Sequence, residues 1–318
     1  MNYRNKLIIA GIAVLSLALG ACGNTQKYNN TDDPIVLGSF VDTEGGILGN
    51  MILLALEDKG YLIEDKVQFG TPDVQRNALL QGELDMGVDY TGNGQFYAKG
   101  LSEEIWRSSE DGYKAIKDYD EKENSLIWLA PAKANNTEAL AVKKEFAELN
   151  GLKTVEDLAK YVNEGKEVKL ITSQLFAEKE AGLVGLEKAY GFKLKEDQMI
   201  LLPHGNTAET LKALANGTDN VNVALAYATD GSLVDLGLVI LEDPLSIPPV
   251  YEPSAVIRKE VLDKYPDIKG IVENAFSFLT KENLQEMNKR VIVDGVSPKV
   301  VADEFLRANK IIDDATQY

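Results

Sequence analysis

The 318-residue chain is poor in the residues that most chemistry requires. It has one cysteine, Cys22, and one histidine, His204. A lone cysteine excludes a disulfide within the chain and any cysteine-built metal cluster. A single histidine leaves His-ligand metal sites and Ser-His-Asp or Cys-His catalysis almost nothing to work with. It stands in Leu202-Pro203-His204-Gly205-Asn206, read as a solvated turn before a helix. No GxxxxGKS/T phosphate loop and no GxGxxG fingerprint occurs. Positive charge is scarce as well, with 33 Lys and Arg against 50 Asp and Glu and a formal net charge of −17. Such a body lacks the basic patches that hold nucleic-acid phosphates. Its acidity speaks for solubility and dispersion. Carboxylates are so common that pairs such as Asp85 and Asp89 arise by chance, and these two are read as surface or cap groups flanking a strand. The residues therefore point away from an enzyme, and no metal or cofactor is expected.

Long hydrophobic runs are also missing, with one exception at the N-terminus. Leu7 to Leu19 follows Arg4 and Lys6 and is mostly apolar. It is shorter than the roughly 20 residues of a bilayer-spanning helix and fits the apolar part of a secretory signal. It ends in Leu19-Gly20-Ala21-Cys22, which resembles a bacterial lipobox, where cleavage precedes the cysteine and a diacylglycerol is attached to its sulfur. An ordinary secretory signal with an incidental cysteine is the alternative. Removing residues 1–21 takes away Arg4 and Lys6 and moves the net charge by two, from −17 to −19. Residues 22–33 are polar and turn-rich and read as a flexible tether. The expected location is extracytoplasmic, lipid-anchored at the cell surface or in the periplasm.

The remaining body, residues 34–318, suffices for two lobes of ordinary size. Short apolar runs alternate with amphipathic stretches, the pattern of an α/β protein. Strands are predicted at Ile35–Phe40, Lys66–Phe69, Leu84–Val88, Leu126–Leu129, Ala139–Val142, Val168–Ile171, Val221–Tyr227 and Val239–Leu241. Helices are predicted at Ile47–Lys59 after a Val41–Gly46 loop, and at Pro72–Leu80, Thr154–Tyr161, Leu183–Tyr190 and Glu209–Ala215. Pro248-Pro249 interrupts regular structure, and Lys259 to Leu306 reads as mostly helical with a break near Gly295–Pro298.

One internal echo carries functional weight. Leu80 to Gly92 and Ala215 to Gly231 each read as helix end, turn and strand, closing in Tyr90-Thr91-Gly92 and in Tyr227-Ala228-Thr229-Asp230-Gly231. Ligands of open α/β sheets bind outside the carboxyl ends of strands. Two lobes with matching tyrosines thus suggest a cleft where the two faces meet, although each tyrosine can also be read as a strand-end aromatic covering core. A quaternary ammonium has no N–H to donate and is held by aromatic faces and oxygens. Tyr90, Tyr227, Tyr251, Phe176 and Phe40 are candidate faces. Asp42-Thr43-Glu44-Gly45 precedes a helix whose amides could meet an anionic group, with helix capping by Thr43 the plainer reading.

These residues resemble the substrate-binding proteins of osmoprotectant ABC importers, the glycine betaine/choline/proline betaine group. The likeness runs through Gly38-Ser39-Phe40-Val41-Asp42-Thr43-Glu44-Gly45, Gly82 to Asp85, Tyr90-Thr91-Gly92 and Asn135-Asn136-Thr137. It continues through Gly182 to Leu186, Tyr190-Gly191, Ala226 to Gly231 and Pro248-Pro249-Val250-Tyr251. The resemblance implies a type II periplasmic-binding-protein fold, two lobes joined by two crossovers and closing on the ligand by a hinge. It also implies an aromatic cage with Tyr90 and Tyr227 at matching positions and an ABC permease as partner. Two positions depart from the family: Glu138 stands where an aromatic residue is usual, and Lys179 where an arginine often holds a carboxylate. Lysine keeps the charge but loses the bidentate geometry. Glu138 either faces the cation or is solvated. Glycine betaine, choline, carnitine and an unrelated small solute stay open as cargo. So do a binding lipoprotein that feeds a sensor and an extracytoplasmic enzyme on the same fold.

The expectations are these. Lobe one comprises residues 34–138 plus 233–318 and lobe two residues 139–232, with crossovers near Ala139–Val142 and Asp230–Leu233. The candidate ligand set is Asp42, Thr43, Glu44, Tyr90, Thr91, Asn136, Thr137, Phe176, Tyr227, Thr229 and Tyr251. Cys22 is the lipidation site, and the protein acts as a monomer.

Overall fold

The computed structural model describes residues 33–203 and 207–313. The predicted signal segment, Cys22, nearly all of the tether and His204 lie outside the described residues. Two five-stranded mixed sheets, each wrapped in helices, form the two lobes. The first contains β1 (Ile35–Phe40), β2 (Ile63–Gly70), β3 (Met86–Tyr90) and β4 (Leu126–Trp128). The second contains β5 (Glu138–Lys143), β6 (Leu170–Ser173), β7 (Met199–Leu202), β8 (Val223–Tyr227) and β9 (Leu238–Ile240). The chain then returns with β10 (Pro253–Arg258) to complete the first sheet.

The strand orders, β2-β1-β3-β10-β4 and β7-β6-β8-β5-β9, are one pattern used twice. In each sheet three parallel strands are followed by an antiparallel strand that has just crossed from the other lobe: β10 beside β3, and β5 beside β8. β3 and β8 are therefore equivalent, which gives the sequence echo a structural basis. Strand β3 is buried on both faces, as expected where helices cover both sides of a sheet.

The strand pairing corrects the expected crossovers. Ala139–Val142 lies inside β5, so the first crossover is residues 129–137. The second is not at Asp230–Leu233, because β9 still pairs with β5 in the second sheet and Leu241 and Ile247 pack in the second lobe's core. The return runs through residues 241–252, across the Pro248-Pro249 interruption, and residues 233–240 belong to lobe two.

The helix Thr43–Asp58 is the spine of the first lobe. Nearly every residue of its first three turns is buried, as befits a helix that is apolar all round. Small residues let it lie close on β1: a β-carbon at Gly49 would stand 2.6 Å from Ser39 Oγ, and one at Gly45 would stand 2.5 Å from the Phe40 carbonyl oxygen. The helix begins at Thr43 rather than Ile47. Asp42 is its N-cap and accepts from the Gly45 amide at 2.8 Å, so the cap is Asp42 and not Thr43. Gly45 and Gly46, read as part of a loop, concealed this start. C-terminal helices Asp267–Phe276, Lys281–Ile292 and Pro298–Ala308 pack on the spine in the same core.

Asp89 is not a surface group. It is buried at the end of β3, accepting from the Tyr90 amide, Asn93 and the Tyr97 hydroxyl, and burial pushes its carboxyl up to about 6. Nearby, Arg76 grips the buried Asp120 with both terminal nitrogens.

Candidate functional site

The two crossovers run side by side and are stitched together. The Asn136 amide donates to the Tyr251 carbonyl (2.9 Å), and the Tyr251 amide donates to Asn135 Oδ1 (2.8 Å). Thr137 Oγ1 donates to the Pro249 carbonyl at 2.8 Å, and Thr91 Oγ1 donates to the Val250 carbonyl at 3.1 Å. The cleft opens beside this double hinge, outside the carboxyl ends of β3 and β8.

At its floor lies Glu44, in the first turn of the spine helix. Its Oε1 accepts from the Tyr90 hydroxyl (2.7 Å) and Asn136 Nδ2 (3.2 Å). Its Oε2 accepts from Thr229 Oγ1 (2.6 Å) and Asn288 Nδ2 (2.7 Å). These donors come from lobe one, from the hinge and, through Thr229, from lobe two. Asn288 also donates to the Thr229 carbonyl at 2.9 Å, and Gln285 to the Ala228 carbonyl at 2.6 Å, so the helix Lys281–Ile292 grips the loop that follows β8. Burial outweighs the four donors and, with the neighbouring Asp42 charge, pushes the Glu44 carboxyl up to about 7.

Two chambers share a wall made of Tyr90, Asn136 and Tyr227. One, of about 350 Å³, is lined among the described residues by three carboxylate residues (Asp42, Glu44 and Asp230) and by no lysine or arginine. The other, of about 290 Å³, is bounded by the rings of Phe40, Tyr90, Tyr227 and Tyr251, and by Glu138 and Lys179. Both volumes sit near the small end of the roughly 300–1,000 Å³ of small-molecule sites. Phe40 stacks on Tyr90 with ring centroids 5.9 Å apart. The Tyr251 hydroxyl accepts from Gln95 Nε2 at 2.8 Å, which fixes its ring. Glu138 and Lys179, the two departures, are partners of each other.

Of the predicted set, Asp42, Thr43, Glu44, Tyr90, Asn136, Tyr227, Thr229 and Tyr251 line one or both chambers. Thr91 and Thr137 line neither, and their hydroxyls tie the hinge. Phe176 is fully buried in the second lobe's core and also lines neither. The sequence reading missed Asn288, Asp230 and Asn93. Asp230 and Asn93 follow the two tyrosine motifs closely and were within reach of that signal. Asn288 sits far along the chain in an amphipathic helix, and only the packing of that helix over the cleft reveals it.

Two α/β lobes around a double hinge, with rings and carboxylates turned into a solute-sized cleft, define a solute-binding protein of the periplasmic type. Residues 33–308 match the family described as the substrate binding domain of ABC-type glycine betaine transport systems, and the chain belongs to that family. It is 44% identical over 274 residues to the glycine betaine-binding protein YehZ of Escherichia coli K12, covering 86% of this chain and 90% of that protein. The apo structure of the E. coli YehZ protein superimposes with a TM-score of 0.81 at 43% identity, covering 88% of this chain and 99% of that one. A solved glycine betaine/carnitine/choline ABC transporter protein gives 0.77 at 25% identity, covering 88% of this chain and all of that one. The family consists of binding proteins that serve importers outside the cytoplasm. Among the described residues no helix is long and apolar enough to cross a membrane.

Proposed function

We propose that this cleft captures a small quaternary-ammonium solute of the glycine betaine, choline or carnitine type and delivers it to the permease of an ABC importer, without catalysis. One observation carries the reading. Tyr90 and Tyr227, from equivalent strands of opposite lobes, form a shared wall of two chambers that also hold carboxylates. Aromatic faces and anionic oxygens are what a cation with no N–H can use, at about 0.5–2 kcal/mol per ring according to desolvation. In this reading Tyr90, Tyr227 and Tyr251 cage the head, Asp42, Thr43, Glu44, Asn136 and Thr229 border it, and Thr91, Thr137 and Phe176 hold the shape. Closure of the lobes on the solute about this double hinge is the signal that the permease reads.

The upstream segment completes the proposal. Residues 1–21 are removed, Cys22 carries the lipid, residues 22–33 tether a monomeric body, and Cys22→Ser shifts the protein from the membrane fraction to the soluble one. The binding claim is tested by calorimetric titration of the purified protein with glycine betaine, choline and carnitine, alongside thermal shift. Saturable heat with at least one of them is expected. Absence of both heat and shift with all three would sink the quaternary-ammonium reading.

A further inference from the structure

Among the described residues the ring-lined chamber is bordered by one acidic and one basic side chain, and they are spent on each other. Glu138 opens β5 directly across from Tyr227 in the strand register, and its side chain is 12% exposed. Lys179 follows the short helix Gln174–Glu178, is 29% exposed, and donates from Nζ to Glu138 Oε2. The Glu138 charge reaches both neighbouring phenols, raising Tyr227 and Tyr251 above the ordinary tyrosine range after burial has done most of that work. An ammonium group thus rests on a carboxylate among aromatic rings. That is the chemistry a quaternary ammonium solute would seek, already occupied by the protein's own lysine. Among the described residues Lys179 is also the single lysine or arginine bordering either chamber, hence the natural partner for a solute carboxylate.

We propose that the Glu138–Lys179 pair is an internal occupant of the cleft's charge subsites and thereby determines which quaternary ammonium solute is taken. The inference rests on the function proposed above. A cation without a carboxylate, such as choline, competes with Lys179 for Glu138, and the displaced lysine can swing to solvent on its long stem. A zwitterion such as glycine betaine competes with Glu138 for Lys179. Each residue is therefore an ally of one solute type and a rival of the other. A structural ion pair would treat both solutes alike.

The test is a crossed titration of wild type, Lys179→Met and Glu138→Gln with choline and glycine betaine. Lys179→Met is expected to tighten choline and weaken glycine betaine, each by about tenfold, and Glu138→Gln to do the reverse. The preference between the solutes then swings in opposite directions in the two variants. Lys179→Gln and Glu138→Ala repeat the comparison should either first variant fail to melt cooperatively. Binding that persists, with both solutes shifted in parallel or not at all, overturns the proposal and leaves the functional reading standing. Loss of all binding in every protein, wild type included, overturns both.

Discussion

Tyr90 and Tyr227 end equivalent strands, face the same two chambers and yet are held in opposite ways. Tyr90 is 7% exposed, stacks on Phe40 and donates its hydroxyl to Glu44. Tyr227 is 37% exposed, and its hydroxyl makes no hydrogen bond among the described residues. The strand pattern repeats, while the supports of the two rings differ. Lobe one presents a ring packed into its core, whereas lobe two presents a part-exposed ring whose hydroxyl no described residue holds. Preorganising one side limits the ordering cost of binding, and leaving the other adaptable lets the lobes close.

The largest expected effect breaks the fixed side. Tyr90→Ala removes a buried ring and one donor to Glu44, and should cost ~3–5 kcal/mol of stability as well as solute binding. A denaturant melt of the solute-free protein reads the first loss, and calorimetry reads the second.

Next comes Glu44, the anchor that Tyr90 has and Tyr227 lacks. Its folded carboxyl is raised from the usual 4.5 to about 7, so the unfolded chain gives up the proton first as pH rises. Stability attached to this group is present below about 4.5 and is lost as pH climbs toward about 7. Asp89, raised from 3.8 to about 6, adds a loss of the same sign at lower pH. Glu44→Gln should flatten most of the fall in Tm between about pH 4.5 and 7, leaving only the part that Asp89 contributes below about 6, a difference on the order of 3 kcal/mol. Unchanged Tm profiles would show that Glu44 does not titrate in the cleft.

Tyr227→Ala is third. It should leave the melt of the solute-free protein within ~0.5 kcal/mol and weaken solute affinity by about 2 kcal/mol. A stability loss as large as that of Tyr90→Ala would erase the distinction between the two rings.

The smallest effect separates the two threonines behind these tyrosines. Thr91 serves the hinge and Thr229 serves Glu44, so Thr91→Val should lower stability by ~1 kcal/mol with little change in solute affinity. A large affinity loss would place Thr91 at the solute instead.

Much of this was legible in the chain. Alternation of strands and helices marks the α/β class, and the repeated Tyr-Thr ends point to the cleft. The misses have physical causes. The spine helix starts four residues early because Asp42 caps it, and two glycines there serve close packing rather than a loop. Strand β10 was obscured by the neighbouring prolines, although Pro253 stands where a strand can begin. The second crossover was misplaced because β9 is three residues long and carries no signal of which sheet it joins. Asn288 reaches Glu44 only through tertiary packing across 244 residues of sequence, which no local pattern encodes.

The most direct test of the account is a crystal structure of the protein grown with whichever of choline or glycine betaine binds more tightly. The ammonium head is expected between Tyr90 and Tyr227, with the Glu138–Lys179 pair opened. A solute bound away from both rings, or in the cleft with that pair intact and its head off the Tyr90–Tyr227 wall, would contradict it.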